Sequence, residues 1–437
     1  MANIFPFRGW RYNPAQVSVQ QAVTQPYDKI APAMQDAYYA ASPYNLVRII
    51  LGKATPNDHA DDSVYTRAAA YFRDWRQQGV LQQEAEQSIY HYVQRFAVPG
   101  GKQEAERRGF IALGQLEDYA AEIVYRHEQT LAKPKADRLD LLRATRAHFG
   151  QIFMLYSDPE GAIDRVLQDS SGGRTPDIEV HDEYDVHHQV WKLSDPEMID
   201  SVRRAMQDKK LIIADGHHRY ETALNYRNER RKEDKHSGGQ PTPYEMAMMT
   251  FVNMDLPGLT ILPTHRVVHG LSGLSAETFR EKARTYYSAE DVDPSMDALR
   301  AATILREAGR TGTALLAVMR DRVFLLDRTK SVDASIFKGL SLRQQALDVV
   351  QLHKILLESV LGLSEESIRN QENIRYLRDG EEALRQVRNG QADIAFLMNP
   401  VSMKQVRDIA FANEVLPQKS TDFYPKLLSG LAIYALE

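Results

Sequence analysis

The segment Lys210-Leu-Ile-Ile-Ala-Asp-Gly-His-His-Arg-Tyr220 holds the densest chemistry in the chain. An apolar run of strand length, Lys210 to Ala214, ends in an Asp-Gly turn, and His217, His218 and Arg219 then open a helix. Gly216 can take a positive φ there and let a ligand approach the backbone. The helix start offers unpaired N–H groups and the positive end of its dipole, and both attract a phosphate. Arg219 adds a planar fork that suits phosphate oxygens, while the two imidazoles add donors or acid–base capacity. Asp215 can cap the helix, hold magnesium, or bind a substrate amine or hydroxyl. The plain alternative is a capped, solvated first turn. Cations at a helix N-terminus oppose its dipole, however, so His-His-Arg calls for an anion.

Other clusters compete for a role. His181-Asp-Glu-Tyr-Asp-Val-His-His188 gathers three histidines and three carboxylates. Glu183 and Asp185 are candidate bases for an acceptor hydroxyl, and Asp185 with Asp215 could hold magnesium; the alternative is a polar loop before a strand. Arg126-His-Glu128 with Lys135 and Arg138 surrounds a helix break at Pro134, either as a phosphate site or as surface ion pairs. Thr264-His265-Arg266 follows a strand and a proline, a place where ligands collect in α/β folds. Pro417-Gln-Lys-Ser-Thr421 has a phosphate-friendly composition but no Gly-rich cradle, so it is not a P-loop. Arg227 to Lys235 interleaves both signs of charge and reads as a solvated helix end, and Tyr220, Ala223 and Leu224 read as core.

Ile212-Ile-Ala-Asp-Gly-His-His-Arg-Tyr-Glu-Thr-Ala-Leu224 resembles the signature of a widespread prokaryotic domain-of-unknown-function family, number ten-fifteen. That resemblance extends over most of the chain, through Pro26-Tyr-Asp-Lys29, Arg126-His-Glu128, Leu262-Pro-Thr-His-Arg266 and Leu416-Pro-Gln-Lys-Ser-Thr421. It raises His127, Glu128, Lys135 and Arg138 as binding candidates. The same motif is similar to the nucleotide-phosphate motif of the ParB/sulfiredoxin-like fold, which includes archaeal free serine kinases, and roughly residues 187–270 match that core's order. Sulfiredoxin places its reactive cysteine where this chain has His217, and the chain has no cysteine, so sulfinic-acid reduction is excluded. ParB proteins add a basic recognition helix that is absent from this sequence. The resemblance therefore implies phosphoryl transfer to a small molecule.

Elements must bring these residues together. Residues 1–43 read as irregular, Asn45 to Leu51 as a strand, and Val64 to Trp75 as a helix capped by Asp61 or Asp62. Ser88–Val98 and Gly109–Leu116 form strands around a Pro-Gly-Gly turn, followed by helices over Glu117–Leu131 and Ala136–Phe149 and a strand over Gln151–Tyr156. Gln189–Leu193 is a strand, and Ser194 or Asp195 caps a helix with Pro196 in its first turn. The motif strand and helix come next, then a loop at 236–243 and strands over Met246–Asn253 and Leu259–Leu262. Beyond Gly270 the pattern restarts, ending with a helix at Glu381–Arg388, a strand at Ala392–Met398 and a helix at Ser402–Asn413.

The 437 residues carry 54 Lys and Arg against 59 Asp and Glu, so bulk charge argues against a nucleic-acid binder. The absence of cysteine excludes disulfides, zinc thiolates, iron–sulfur clusters and thiol catalysis. No apolar run approaches the ~18 residues that cross a bilayer, and the start lacks a secretory pattern, so a cytoplasmic protein without a membrane partner is expected. The fold class expected is α/β (mixed α+β). An N-terminal region covers 1–150, a ParB/sulfiredoxin-like core 151–270 and a C-terminal α/β region 271–437. The expected activity is a phosphotransferase using ATP or ADP with Mg, acting on a metabolite hydroxyl, with free serine the leading acceptor. Asp215, His218, Glu183 and Asp185 are its catalytic candidates. Gly216, His217, His218, Arg219, His127, Glu128, Lys135, Arg138, His265 and Arg266 are its nucleotide-binding candidates. A metal-dependent phosphohydrolase and a non-catalytic nucleotide-binding regulator are the alternatives, and the sequence leaves a homo-oligomer open.

Overall fold

The computed structural model describes residues 2–101, 103–129, 132–234 and 242–437. The loop expected at 236–243 and the end of the charged run at Lys235 therefore lie largely outside the described residues. The chain is a mixed α/β protein of two compact units. The first comprises residues 1–126, 130–260 and 425–437, and the second comprises 127–129 and 261–424.

The first unit is organised by a nine-stranded mixed sheet. Its strands are β1 (Ile4–Phe5), β2 (Ile89–Ala97), β3 (Glu104–Gln115), β4 (Val124–Tyr125), β5 (Ile152–Tyr156), β6 (Ile178–His181), β7 (His187–Leu193), β8 (Leu211–Asp215) and β9 (Met246–Asn253). Their order is β4-β8-β5-β9-β3-β2-β7-β6, with β1 added to β3. β5 and β9 pair in parallel, as do β4 and β8, and the remaining pairs are antiparallel. The boundary expected near residue 150 falls inside this sheet, because β2, β3 and β4 pair with strands that follow it.

β5 is buried at every residue, as are the last seven residues of β9, which suits central strands covered on both faces. Its helices include α1 (Pro32–Ala41), α2 (Val64–Gln77), α3 (Ala132–Thr145), α4 (Pro196–Met206) and α5 (His217–Glu233). Asp195 caps α4 by accepting from the Glu197 and Met198 amides, and Pro196 takes the first turn. Ile199, Val202 and Met206 of α4 and Tyr220, Ala223 and Leu224 of α5 join one core with Met154, Ile213 and Phe251 of the sheet. Each large apolar side chain fully buried in this way contributes about 1.5–3 kcal/mol. That packing holds the start of α5 against the end of β8.

Several local expectations are corrected. Residues 1–43 contain the ten-residue helix α1, because Pro32 sits at its first position, where a proline starts a helix rather than breaking one. The expected strand at Asn45–Leu51 is a short helix, Val47–Ile50, packed into a cluster with Phe72 and Trp75; an apolar run of that length suits either element. Ser63, rather than Asp61 or Asp62, caps α2 through a capping box with Thr66. The expected helix at Glu117–Leu131 is a 3-10 turn, Tyr119–Ala121, followed by β4, where edge pairing with β8 overrides helical propensity. α3 starts before the position expected and runs through Pro134 in its first turn.

The second unit has a six-stranded antiparallel sheet. Its strands are β10 (His265–Val268), β11 (Ser288–Val292), β12 (Leu315–Val318), β13 (Val323–Asp327), β14 (Ile374–Leu377) and β15 (Ile394–Met398), in the order β11-β13-β12-β15-β10-β14. The helix expected at Glu381–Arg388 is Gly380–Arg388, and the one expected at Ser402–Asn413 is Met403–Ala410, capped by Ser402.

Candidate functional site

β8 ends in a register shift against β5: Ile213 faces Met154, and Asp215 faces Phe153, so one extra residue sits on β8. Such a bulge re-aims the side chain that follows it, here Asp215. Gly216 then adopts φ +91°, and α5 begins with no side chain capping it. Asp215 is therefore not a helix cap, which removes the plain reading of this motif.

Asp215 instead lies among cations. Its Oδ2 accepts from the Arg219 guanidinium at 2.7 Å and its Oδ1 from Lys426 Nζ at 2.9 Å. Burial alone would raise the Asp215 carboxyl, but Lys426, Arg219 and Lys29 together hold it far below the usual range. Arg219 also donates to the Gln151 carbonyl, and its guanidinium folds back over Gly216. A Cβ on Gly216 would meet that guanidinium at 3.0 Å, so both the backbone angle and the side-chain packing require glycine. Both side-chain amide atoms of Gln151 are buried without a hydrogen-bond partner among the described residues.

A buried relay connects this corner to the 181–188 cluster. Arg107 is 1% exposed and donates to Gln94 Oε1 at 3.0 Å and to the Pro425 carbonyl. Burial lowers its guanidinium to about 10, and Tyr92 and Asp215 oppose that shift. Gln94 donates to the Lys426 carbonyl at 2.9 Å. His188 Nδ1 meets the Tyr92 hydroxyl at 2.7 Å, and His188 Nε2 meets Asp182 at 3.2 Å. The Asp182 side chain is 2% exposed; burial raises its carboxyl, yet the bond from His188 leads a net lowering.

Of the sequence-chosen carboxylates, Glu183 accepts from Gln25 Nε2 at 3.2 Å, whereas Asp185 is exposed in a tight turn with φ +58°. The buried member of that trio is Asp182. Lys135 pairs with Glu221 of α5 at 2.8 Å, and Arg138 lies 4.2 Å over the Tyr27 ring while donating to the Ile50 carbonyl. These contacts make Lys135 an ion-pair partner and Arg138 part of a cavity wall.

The chosen residues fall into two clusters. Gly216, His217, His218, Arg219, Lys135 and Arg138 belong to the first unit, and His127, Glu128, His265 and Arg266 to the second. In the second unit, three stretches distant in sequence converge. His127 Nε2 meets Thr421 Oγ1 at 2.8 Å, and Glu128 accepts from the Lys419 amide at 2.6 Å. Arg266 is fully buried, lies 5.0 Å from the Tyr376 ring, and donates to His353 Nε2 at 3.3 Å and weakly to the Gln418 carbonyl. Burial lowers His265 to about 4 and Arg266 to about 10. Here Arg266 bonds to the His353 imidazole, while His127 and Glu128 bond to the 417–421 segment.

Magnesium was expected on Asp215 and Asp185. Among the described residues no three His, Cys, Asp or Glu side chains gather as a metal site, both Asp215 oxygens are engaged by cations, and Asp185 is exposed. The residues present do not fit a protein-held magnesium ion.

Sequence reasoning missed Lys29, Gln94, Arg107, Asp182 and Lys426. Lys426 carried a signal, a single cation inside the apolar run Phe423-Tyr-Pro-Lys-Leu-Leu428. Lys29 stood in the quoted Pro26–Lys29 stretch without a role. Arg107 and Asp182 sit beside Arg108 and Glu183 and are told apart from them only by burial.

Fold and site together define a mixed α/β protein with a cation-rich strand–turn–helix corner. The chain belongs to the family described as "Protein of unknown function (DUF1015)", which matches residues 4–350. No curated protein matches its sequence. Among solved structures it is similar to a free serine kinase in complex with AMP, at 13% identity and a TM-score of 0.36, covering 74% of this chain and 92% of that one. A conserved hypothetical protein from Pyrococcus furiosus matches at 13% identity and a TM-score of 0.34, covering 72% and 90%. SbnI from Staphylococcus aureus, with a C-terminal truncation, matches at 10% identity and a TM-score of 0.36, covering 73% and 85%. No helix among the described residues is long and apolar enough to cross a membrane.

Proposed function

We propose that the protein is a nucleotide-dependent small-molecule kinase whose phosphate-binding corner is the Asp215–Arg219 turn. What supports this reading is geometry: Arg219 and Lys426 both bond to Asp215 beside a glycine at φ +91°, at the start of a helix that carries no side-chain cap. A helix start without a side-chain cap attracts an anion, and guanidinium and ammonium groups beside it stabilise the charge of a phosphoryl group in transfer. The sequence resemblance of the Asp-Gly-His-His-Arg motif to a nucleotide-phosphate motif points the same way.

In this reading the amides at the start of α5, with Arg219, His217 and Lys426, hold the donor's phosphates. The acceptor hydroxyl oxygen forms a bond to the terminal phosphorus as the bridging P–O bond to the nucleotide breaks. The shortened nucleotide leaves, and the hydroxyl proton passes to His218 and on to solvent. Asp215 is too strongly held as a carboxylate to act as the base; its role is to fix Arg219 and Lys426. Such a transition state needs little covalent help, so positioning and charge supply most of the rate.

The test is a thermal-shift screen of ATP, ADP and AMP with wild type and Arg219→Ala, followed by product analysis with serine and other hydroxy compounds. Nucleotide-dependent stabilisation, lost in Arg219→Ala, and a phosphate ester formed only with an acceptor are expected. Hydrolysis at the same rate without acceptor makes the protein a phosphohydrolase, binding without turnover makes it a regulator, and no stabilisation by any nucleotide ends the proposal.

A further inference from the structure

Lys426 reaches Asp215 from a stretch of chain, residues 425–428, that belongs to no strand. Side chains of β2 and β3 hold that stretch instead. Gln94 of β2 and Arg107 of β3 stand directly opposite each other, and Tyr92, two residues before Gln94, shares their face. Arg107 donates to the Pro425 carbonyl, Gln94 Nε2 donates to the Lys426 carbonyl at 2.9 Å, and the Leu428 amide donates to the Tyr92 hydroxyl at 3.4 Å. All three side chains are buried. We infer that Gln94 is a positioning residue for phosphate binding, acting through Lys426. This rests on the kinase reading above, in which Lys426 holds a phosphate, and adds the residue that keeps the lysine in place.

The chemistry of the pair sets the direction of the Gln94 amide. A guanidinium offers donors only, so the oxygen of Gln94 must face Arg107, and Oε1 accepts from Arg107 Nε at 3.0 Å. Nε2 is then left to face the Lys426 carbonyl, with His188 Nδ1 at 3.4 Å beside it. Lys426 is thereby fixed at both ends. Its carbonyl is held by Gln94, and its ammonium is held by Asp215 Oδ1 at 2.9 Å. A lysine on a loose backbone spreads over many rotamers, and gathering them onto one anion opposes binding. Anchoring the carbonyl removes part of that cost before the phosphate arrives. A glutamine that merely filled space would stabilise the fold without acting through the lysine, and that difference can be measured.

The experiment is a double-mutant cycle on the full-length protein, read by calorimetry with inorganic phosphate and with ATP. Wild type, Gln94→Met, Lys426→Met and the double variant are compared, and urea unfolding checks that each is folded. Gln94→Met should weaken phosphate binding about fivefold, the worth of one net hydrogen bond. In the Lys426→Met background the same change should cost less than about 1.5-fold, because the lysine through which Gln94 acts is gone. Gln94→Glu keeps an acceptor for Arg107 but lacks the donor to Lys426. It serves where the methionine variant does not fold, and it should show the same dependence on Lys426. Equal losses in both backgrounds, or a folded Gln94 variant that binds phosphate as wild type does, overturn the positioning role and leave the kinase reading standing. Absence of phosphate and nucleotide binding in wild type overturns both.

Discussion

Replacing Gly216 by alanine tests whether the turn exists to seat Arg219. Two costs are legible in the structure. A residue with a Cβ at φ +91° costs about 1 kcal/mol relative to glycine. The new methyl would also lie 3.0 Å from three atoms of the Arg219 guanidinium, which is held by Asp215 at 2.7 Å and by the Gln151 carbonyl. Shifting that fork weakens charge-assisted hydrogen bonds worth about 1.5–3 kcal/mol. Gly216→Ala should therefore lose about 2–4 kcal/mol in urea unfolding at neutral pH. In an Arg219→Ala background only the backbone term remains, so the same substitution should cost about 1 kcal/mol, a coupling of about 1–3 kcal/mol in a double-mutant cycle. Phosphate-dependent stabilisation should vanish in all three variants. A cost below about 0.5 kcal/mol for Gly216→Ala, or equal costs in both backgrounds, would refute the reasoning.

Further outcomes follow from the same contacts. Arg107→Met leaves Gln94 Oε1 and the Pro425 carbonyl without a buried donor, so unfolding free energy should fall by about 2–3 kcal/mol, and protease should cut the 425–437 segment sooner. Lys426→Met removes one of two ion-pair partners of a carboxylate that is 22% exposed; a loss of about 1–2 kcal/mol is expected by denaturation, with phosphate affinity reduced about tenfold by calorimetry. His91, His148 and His265 each fall to about 4 in the folded state, chiefly through burial. Between pH 6.5 and 4 the unfolded chain therefore binds more protons than the folded one. Stability is fully present above pH 6.5 and is lost as pH falls toward 4, by about 3 kcal/mol per histidine; a melting temperature flat across that range would contradict these burials. Asp182→Ala leaves His188 buried without its carboxylate and should cost about 2 kcal/mol by urea denaturation, while phosphate binding at the Asp215 turn stays within twofold.

Much of this architecture can be read locally. The motif strand, the positive-φ glycine and the helix after it follow from an apolar run, an Asp-Gly pair and a helical stripe, and Tyr220, Ala223 and Leu224 are core as their spacing requires. The capping of α4 by Asp195 and the β2–β3 hairpin are equally local. Elements failed where length or partners decide: Val47–Ile50 is too short for periodicity to separate helix from strand, and β4 exists only because β8 supplies its edge. Arg107 and Arg108 are neighbours of the same type, yet one is buried beneath the Asp215 corner and the other bonds to Glu106 near the surface.

The sequence by itself determined the chemistry available at residues 215–219, because a turn, a helix start and their side chains depend on neighbours a few positions away. Only tertiary structure decided which charges meet there. Lys29, Arg107 and Lys426 come from opposite parts of the chain, and strand order and the returning C-terminal segment bring them to Asp215. The same folding separates His127, Glu128, His265 and Arg266 into another unit. Electrostatic fields depend on distance through space, and a linear pattern does not contain that distance.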